Sequence, residues 1–241
     1  MANDTTSDLT ALPDVLRGAV IAFDLDGTLV DTAPDLVGTL NVILAQEGIA
    51  PLPMAEARPL IGHGARRLLE RGFEVANAPL APERTPEIFD RFLAHYLAHI
   101  ADESRPFPGV VEALTRLRAA GAKLAVCTNK PGDLARVLLD ALEISQLFEA
   151  IVGPEAAPAR KPDGRHLEAA VAAAGGALPR AVMVGDADTD AGAARAAGAA
   201  LVLVSFGYTQ VPAAELEPDV LIDHFDELPD ACVRLLSACG A

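Results

Sequence analysis

The chain has 241 residues, 51% of them hydrophobic, with a mean hydropathy of +0.28. This supplies core material for one large domain or two smaller ones and excludes disorder along the whole length. The 34 acidic residues outweigh the 19 basic ones to leave a formal charge of −15. That charge argues against nucleic acid and anionic lipid as partners, since both are bound through lysine and arginine. No run of eighteen apolar residues is free of charge, so no membrane-spanning helix is expected.

Taken in order, residues 1–17 are largely polar, without the basic and apolar segments of a signal peptide, and read as a flexible tail on a cytoplasmic protein. The apolar run at 19–23 ends in a turn, the mark of a strand buried on both faces. Similar runs follow at 123–127, 181–184 and 200–204, with a weaker one at 148–152 and a short edge candidate at 220–222. Amphipathic helical stretches lie at 110–120, 132–142, 163–174, 189–197 and 229–238. This alternation predicts an α/β fold, a parallel sheet with helices on both faces. One region breaks it. Between 34 and 104 there are helical patterns only, at about 35–47, 63–72 and 84–100. The expected organisation is a core of residues 18–33 and 105–241 with a helical cap, 34–104, inserted after the first strand, over the usual ligand crevice. The cysteines, Cys127, Cys232 and Cys239, are too few for a disulfide framework. Cys127 suits a small core residue.

The strand ends carry the chemistry. Asp24 and Asp26 follow the first strand directly. Asp26-Gly27 alone makes a turn, but Asp24 at the mouth of a sheet is costly unless paired or metal-bound. Thr128, Asn129 and Lys130 follow the second long strand. They are either donors for an oxyanion, backed by the next helix N-terminus, or helix-capping groups. Lys161-Pro162 precedes a helix. Asp186, Asp188 and Asp190 crowd the end of the strand at 181–184, where they would repel one another without a cation. Hard oxygen ligands with few histidines suit Mg²⁺ rather than a softer metal. A carboxylate nucleophile, a hard cation and cationic clamps together predict phosphoryl transfer. Two of the three lysines in the chain, Lys130 and Lys161, fall in these motifs.

Asp24-Leu-Asp26-Gly-Thr, Thr128-Asn129, Lys161-Pro162 and Gly185-Asp186-xxx-Asp190, in this order, resemble the four motifs of the haloacid-dehalogenase-like hydrolases. The match runs from about residue 20 to 207. The fold implied is a Rossmann-like core with a small helical cap. Asp26 fits the phosphatases and mutases of the family, and the stretches 24–34, 61–65, 128–131 and 206–208 resemble its phosphoglycolate phosphatases. The resemblance implies that Asp24 is the nucleophile that becomes an aspartyl phosphate, with Asp26 the general acid and base. Mg²⁺ is then held by the Asp24 carboxylate, the Asp26 carbonyl and Asp186. Asp190 supports that shell or orients Lys161, and Thr128, the Asn129 backbone and Lys161 hold the phosphoryl oxygens. Ala187 stands where the family often has Ser, and Gly164 where it often has Pro.

The implied activity is Mg²⁺-dependent hydrolysis of a small phosphorylated metabolite, 2-phosphoglycolate first among them, by a monomer or homodimer. A phosphosugar mutase of the β-phosphoglucomutase type is the alternative within the family. A non-catalytic metal-binding partner protein on the same fold is the alternative outside it. A dinucleotide oxidoreductase is disfavoured because no G-x-G-x-x-G follows the first strand. Several residues keep two readings. His63, between two glycines, is a loop residue or reaches the substrate from the cap. Lys130 touches substrate oxygens or is solvated at a helix start, and Tyr208 borders the pocket or anchors a loop. Arg66, Arg67, His95 and His99 read as solvated helix faces.

Overall fold

The computed structural model describes residues 12–238; most of the expected tail lies outside the described residues, as does Cys239. The first part of the chain forms strand β1 (Val20–Phe23), a two-residue strand β2 (Val30–Asp31), and helices α1 (Ala33–Gln46), α2 (Met54–Ala57), α3 (Ala65–Val75) and α4 (Thr85–Ala98). A second two-residue strand, β3 (Arg105–Pro106), leads to α5 (Val110–Ala119), β4 (Lys123–Cys127), α6 (Gly132–Ala141) and β5 (Ala150–Val152). Then come α7 (Gly164–Ala173), β6 (Ala181–Gly185), α8 (Asp188–Ala197), β7 (Ala200–Val204), β8 (Val220–Ile222) and α9 (Leu228–Ala238).

Six strands make one sheet in the order β5-β4-β1-β6-β7-β8, every pairing parallel. Its central strands are buried on both faces, and the side chains divide between two cores by the two-residue period of a strand. Ile21, Phe23, Val182 and Val184 enter the core on one face. Val20, Ala22, Ala181 and Met183 enter the other, against Leu167, Ala170 and Val171 of α7 and Ala191 and Ala194 of α8. The weak candidate at 148–152 and the short one at 220–222 are the two edge strands, β5 and β8. The chain leaves β1 for β4 on one side and later returns to β6 on the other, so β1 and β6 flank a topological switch point. At such a point the loops beyond the strand ends part and leave a crevice.

Two features depart from the sequence reading. Val15 and Leu16, placed in the polar tail, dock onto the body of the protein. Leu16 is fully buried, and Arg180 donates to the carbonyls of Val15 and Arg17. A short apolar 3-10 turn, Asp14–Leu16, supplies that contact. The helical insertion is also bounded by strands that no apolar pattern announces. β2 and β3 pair antiparallel, Val30 with Pro106 and Asp31 with Arg105, so the insertion starts and ends at adjacent points. Asp35 reinforces the junction from α1, accepting hydrogen bonds from the backbone N–H groups of Glu103 and Ser104 and from the Ser104 hydroxyl. No helix among the described residues is long and apolar enough to cross a membrane.

Candidate active site

Asp24 leaves β1 with its N–H bonded to the Val184 carbonyl of β6, which fixes its backbone at the switch point. Its carboxylate is buried, and Oδ1 lies 2.9 Å from Lys161 Nζ. The approach is off the hydrogen-bonding direction, so this buried oxygen has no hydrogen bond. Burial raises the Asp24 carboxyl to about 6. Lys161 pulls against this, while Asp190 and Asp26 add to it.

Lys161 is fully buried between two acids, with Asp190 Oδ1 accepting from it at 2.6 Å. Burial opposes its charge, but Asp190 and Asp24 outweigh that cost and hold the ammonium above its ordinary range. Its backbone is clamped on both sides. Its N–H donates to His166 Nδ1 of α7 at 3.1 Å, and its carbonyl accepts from Asn129 Nδ2 at 3.2 Å. His166 in turn bonds the Val152 carbonyl through Nε2 at 3.2 Å. A carbonyl only accepts, so Nε2 carries the ring proton and Nδ1 is free to accept.

Asp186, at the end of β6, is held by the Thr28 hydroxyl at 2.9 Å on one oxygen and by the Tyr208 N–H at 2.7 Å on the other. Gly27 makes room for this: its φ is +86°, and a Cβ there would stand 2.6 Å from Asp186 Oδ2 and 2.8 Å from the Tyr208 ring. Burial, with Asp190 and Asp24 alongside, pushes the Asp186 carboxyl well above its usual range. Asp190 has both oxygens engaged, one by Lys161 and the other by the N–H groups of Asp186 and Ala187. Oxygens of Asp24, Asp186 and Asp190 lie within 4.8 Å of one another. A buried, all-oxygen, anionic set with one unsatisfied carboxylate oxygen fits a hard divalent cation such as Mg²⁺.

Asp26 is gripped by Lys130, whose Nζ lies 3.0 and 3.2 Å from its two oxygens and also donates to the Tyr96 hydroxyl of α4 at 2.8 Å. Burial works against the Lys130 charge, and Asp26 and Tyr96 more than offset it, so the ammonium stays above its ordinary range. Lys130 is therefore not the solvated helix-start residue of one reading. Its N–H also bonds Thr128 Oγ1 at 3.1 Å, tying the two residues together. Asp24, Asp26, Thr128, Asn129, Lys130 and Tyr96 border one cavity of about 20 Å³, closed on other sides by Leu36, Ile61, Leu68 and Leu134.

His63 does not line that cavity. It borders a neighbouring one of about 150 Å³, with Ala187, Asp188 and Tyr208. Tyr208 is both a cavity wall and an anchor. Its hydroxyl donates to Asp31 at 2.6 Å and accepts from the Ala33 N–H at 3.0 Å, and Arg58 covers its ring at 4.9 Å. Gln210 adds a bond to the Pro59 carbonyl. Arg66 and Arg67 are exposed; His95 is partly buried and bonded to Thr39, while His99 is exposed and bonded to Asp102. The sequence reading missed Tyr96 and His166. Tyr96 completes an apolar stripe with Ile88 and Phe92, which reads as core, and His166 is a single polar residue on the buried face of α7.

The haloacid dehalogenase-like hydrolase family profile matches residues 19–198. The phosphoglycolate phosphatase of Caulobacter vibrioides is 60% identical over 226 residues, covering 94% of this chain and 95% of its own, and that of Agrobacterium fabrum is 45% identical, covering 91% and 94%. The crystal structure of a predicted phosphoglycolate phosphatase from Haemophilus somnus 129PT superposes with a TM-score of 0.82 at 30% identity, covering 90% of this chain and 98% of that one. The ordered motifs, the parallel sheet and these matches agree, and the chain belongs to the haloacid dehalogenase-like hydrolase family.

Proposed function

We propose that the protein is a Mg²⁺-dependent phosphatase that hydrolyses 2-phosphoglycolate through an aspartyl-phosphate intermediate. The observation that carries this reading is the buried Asp24 oxygen with no hydrogen bond, beside Lys161 and within reach of Asp186 and Asp190. The substrate rests on the phosphoglycolate phosphatases to which the chain is 60% and 45% identical. The Asp24 carboxylate, the Asp26 carbonyl and Asp186 would hold the cation, with Asp190 behind them. The cation supplies charge neutralisation to an incoming phosphate.

Asp24 attacks phosphorus, and the phosphoryl group passes to its carboxylate. Lys161, Thr128 and the Asn129 backbone hold the phosphoryl oxygens, offsetting the repulsion between an anionic nucleophile and an anionic substrate. Asp26 gives a proton to the departing alkoxide, then takes one from the water that cleaves the intermediate, steps worth about 10²–10⁴ in rate. Asp190 keeps Lys161 aimed at the nucleophile. Lys130 binds the organic end, and His63 approaches from the insertion. The insertion, 34–104, is the cap over a core of 18–33 and 105–241.

The test is phosphate release from a panel of small phosphates, with Mg²⁺ or with EDTA, by the wild type and Asp24→Asn. The reading requires Mg²⁺-dependent release that is greatest on 2-phosphoglycolate and absent in the variant. Full activity in Asp24→Asn removes the mechanism.

A further inference from the structure

The inserted helix α4 sends one polar group into the cavity that holds Asp24 and Asp26, and that group has a hydrogen left to give. Lys130 Nζ only donates, so at 2.8 Å the Tyr96 hydroxyl oxygen accepts from it. The hydroxyl hydrogen finds no acceptor among the described residues. Tyr96 is 1% exposed, and its ring stacks on Phe92. A buried donor left unspent is unfavourable unless a ligand takes it.

The surroundings say what that ligand is. Lys130 already shares its hydrogens with both oxygens of Asp26 and with Tyr96. A second carboxylate brought here needs a further donor, and the Tyr96 hydroxyl hydrogen is one. The walls beside it, Leu36, Ile61, Leu68 and Leu134, are apolar and offer nothing to a polar tail. The free space between the nucleophile and Tyr96 is about 20 Å³, on the scale of one bound water, so a tail that reaches Tyr96 has to be short.

We infer that the Tyr96 hydroxyl, acting beside the Lys130 ammonium, is the specificity-determining donor for the carboxylate of a short phosphomonoester. This rests on the phosphatase reading above and adds to it a residue that selects the anionic tail. An apolar tail leaves the Tyr96 hydrogen without an acceptor, and a site that buries an unmatched donor rejects such a substrate.

The experiment compares kcat/KM on 2-phosphoglycolate and on ethyl phosphate, which has the same skeleton without the carboxylate, for the wild type and Tyr96→Phe. The variant keeps the ring and its stacking, and thermal melting verifies that it is folded. The wild type prefers 2-phosphoglycolate, and in Tyr96→Phe the ratio of the two values falls about tenfold or more, the scale of one hydrogen bond to a charged group. A ratio unchanged in the variant overturns the inference while the phosphatase reading stands, because Tyr96 then only steadies Lys130. A wild type without preference for 2-phosphoglycolate removes the substrate reading and the inference with it. A second measurement needs no variant. The wild type should turn over the neutral amide of phosphoglycolate at least tenfold less efficiently than the acid, and equal efficiency overturns the inference.

Discussion

Lys161 Nζ and Asp190 Oδ1 are 2.6 Å apart with both side chains wholly buried, and the same ammonium lies 2.9 Å from Asp24. One cation thus serves two buried anions. Lys161→Met removes it and leaves both uncompensated, a cost of about 3–5 kcal/mol in the metal-free protein. Urea unfolding in EDTA measures this. Lys161→Arg keeps the charge but not the compact shape, and should lower phosphate release by at least about 100-fold.

Asp24 itself is a stability liability without a cation. Its carboxyl titrates at about 6 in the fold against 3.8 unfolded, chiefly through burial. A raised carboxyl favours the protonated folded state. The penalty is therefore complete above about pH 6 and disappears as the pH falls toward 3.8. In EDTA at pH 7.5, Asp24→Asn should exceed the wild type by about 2–3 kcal/mol. The gap should narrow to about 1 kcal/mol as the pH is lowered to 4.5. A gap that widens in acid would contradict the burial argument.

Mg²⁺ should reverse that order. A ligand that binds only the folded state adds about 4.1 kcal/mol at one thousand times its Kd, more than that deficit. The wild-type melting temperature should climb with Mg²⁺, and those of Asp24→Asn and Asp186→Asn should climb much less. Equal rises in all three would place the cation elsewhere.

His166 is a positioning residue for Lys161, because it accepts from the Lys161 N–H while donating to Val152. His166→Leu leaves both backbone groups unpaired in the interior, at about 1–3 kcal/mol each. The variant should lose kcat more than it raises KM, since the ammonium is displaced rather than removed. His166→Asn, which retains an acceptor and a donor, should recover part of the loss.

Gly27→Ala forces a methyl into Asp186 and Tyr208 at a backbone angle that disfavours any side chain. Its cost should appear mainly as lost Mg²⁺ response, checked by the same melting titration.

The long strands and most helices were legible because buried strands and amphipathic helices leave periodic apolar patterns. Asp24, Asp26, Thr128 and Asp186 stand out because charged and hydroxylated residues at the ends of buried strands have few structural uses, and Lys161 and Asp190 stand out through the ordered motifs they complete. β2 and β3 left no such trace, being two residues each, one of them containing a proline. Lys130 was recognised, but not its burial against Asp26 and Tyr96, since a pairing 104 residues away along the chain has no local pattern. His63 borders the cavity beside Tyr208 and not the one that holds Asp24, a placement set by the fold that its flanking glycines do not announce.

The antiparallel ribbon of β2 and β3 has a consequence for heredity. Because the helical insertion departs and returns on neighbouring strands, the sheet experiences it as one closed loop whose ends are already tied. Loop length then costs little, growing only with its logarithm. Segments between these two anchor points can be lengthened, shortened or exchanged between lineages without disturbing the register of β1 against β4.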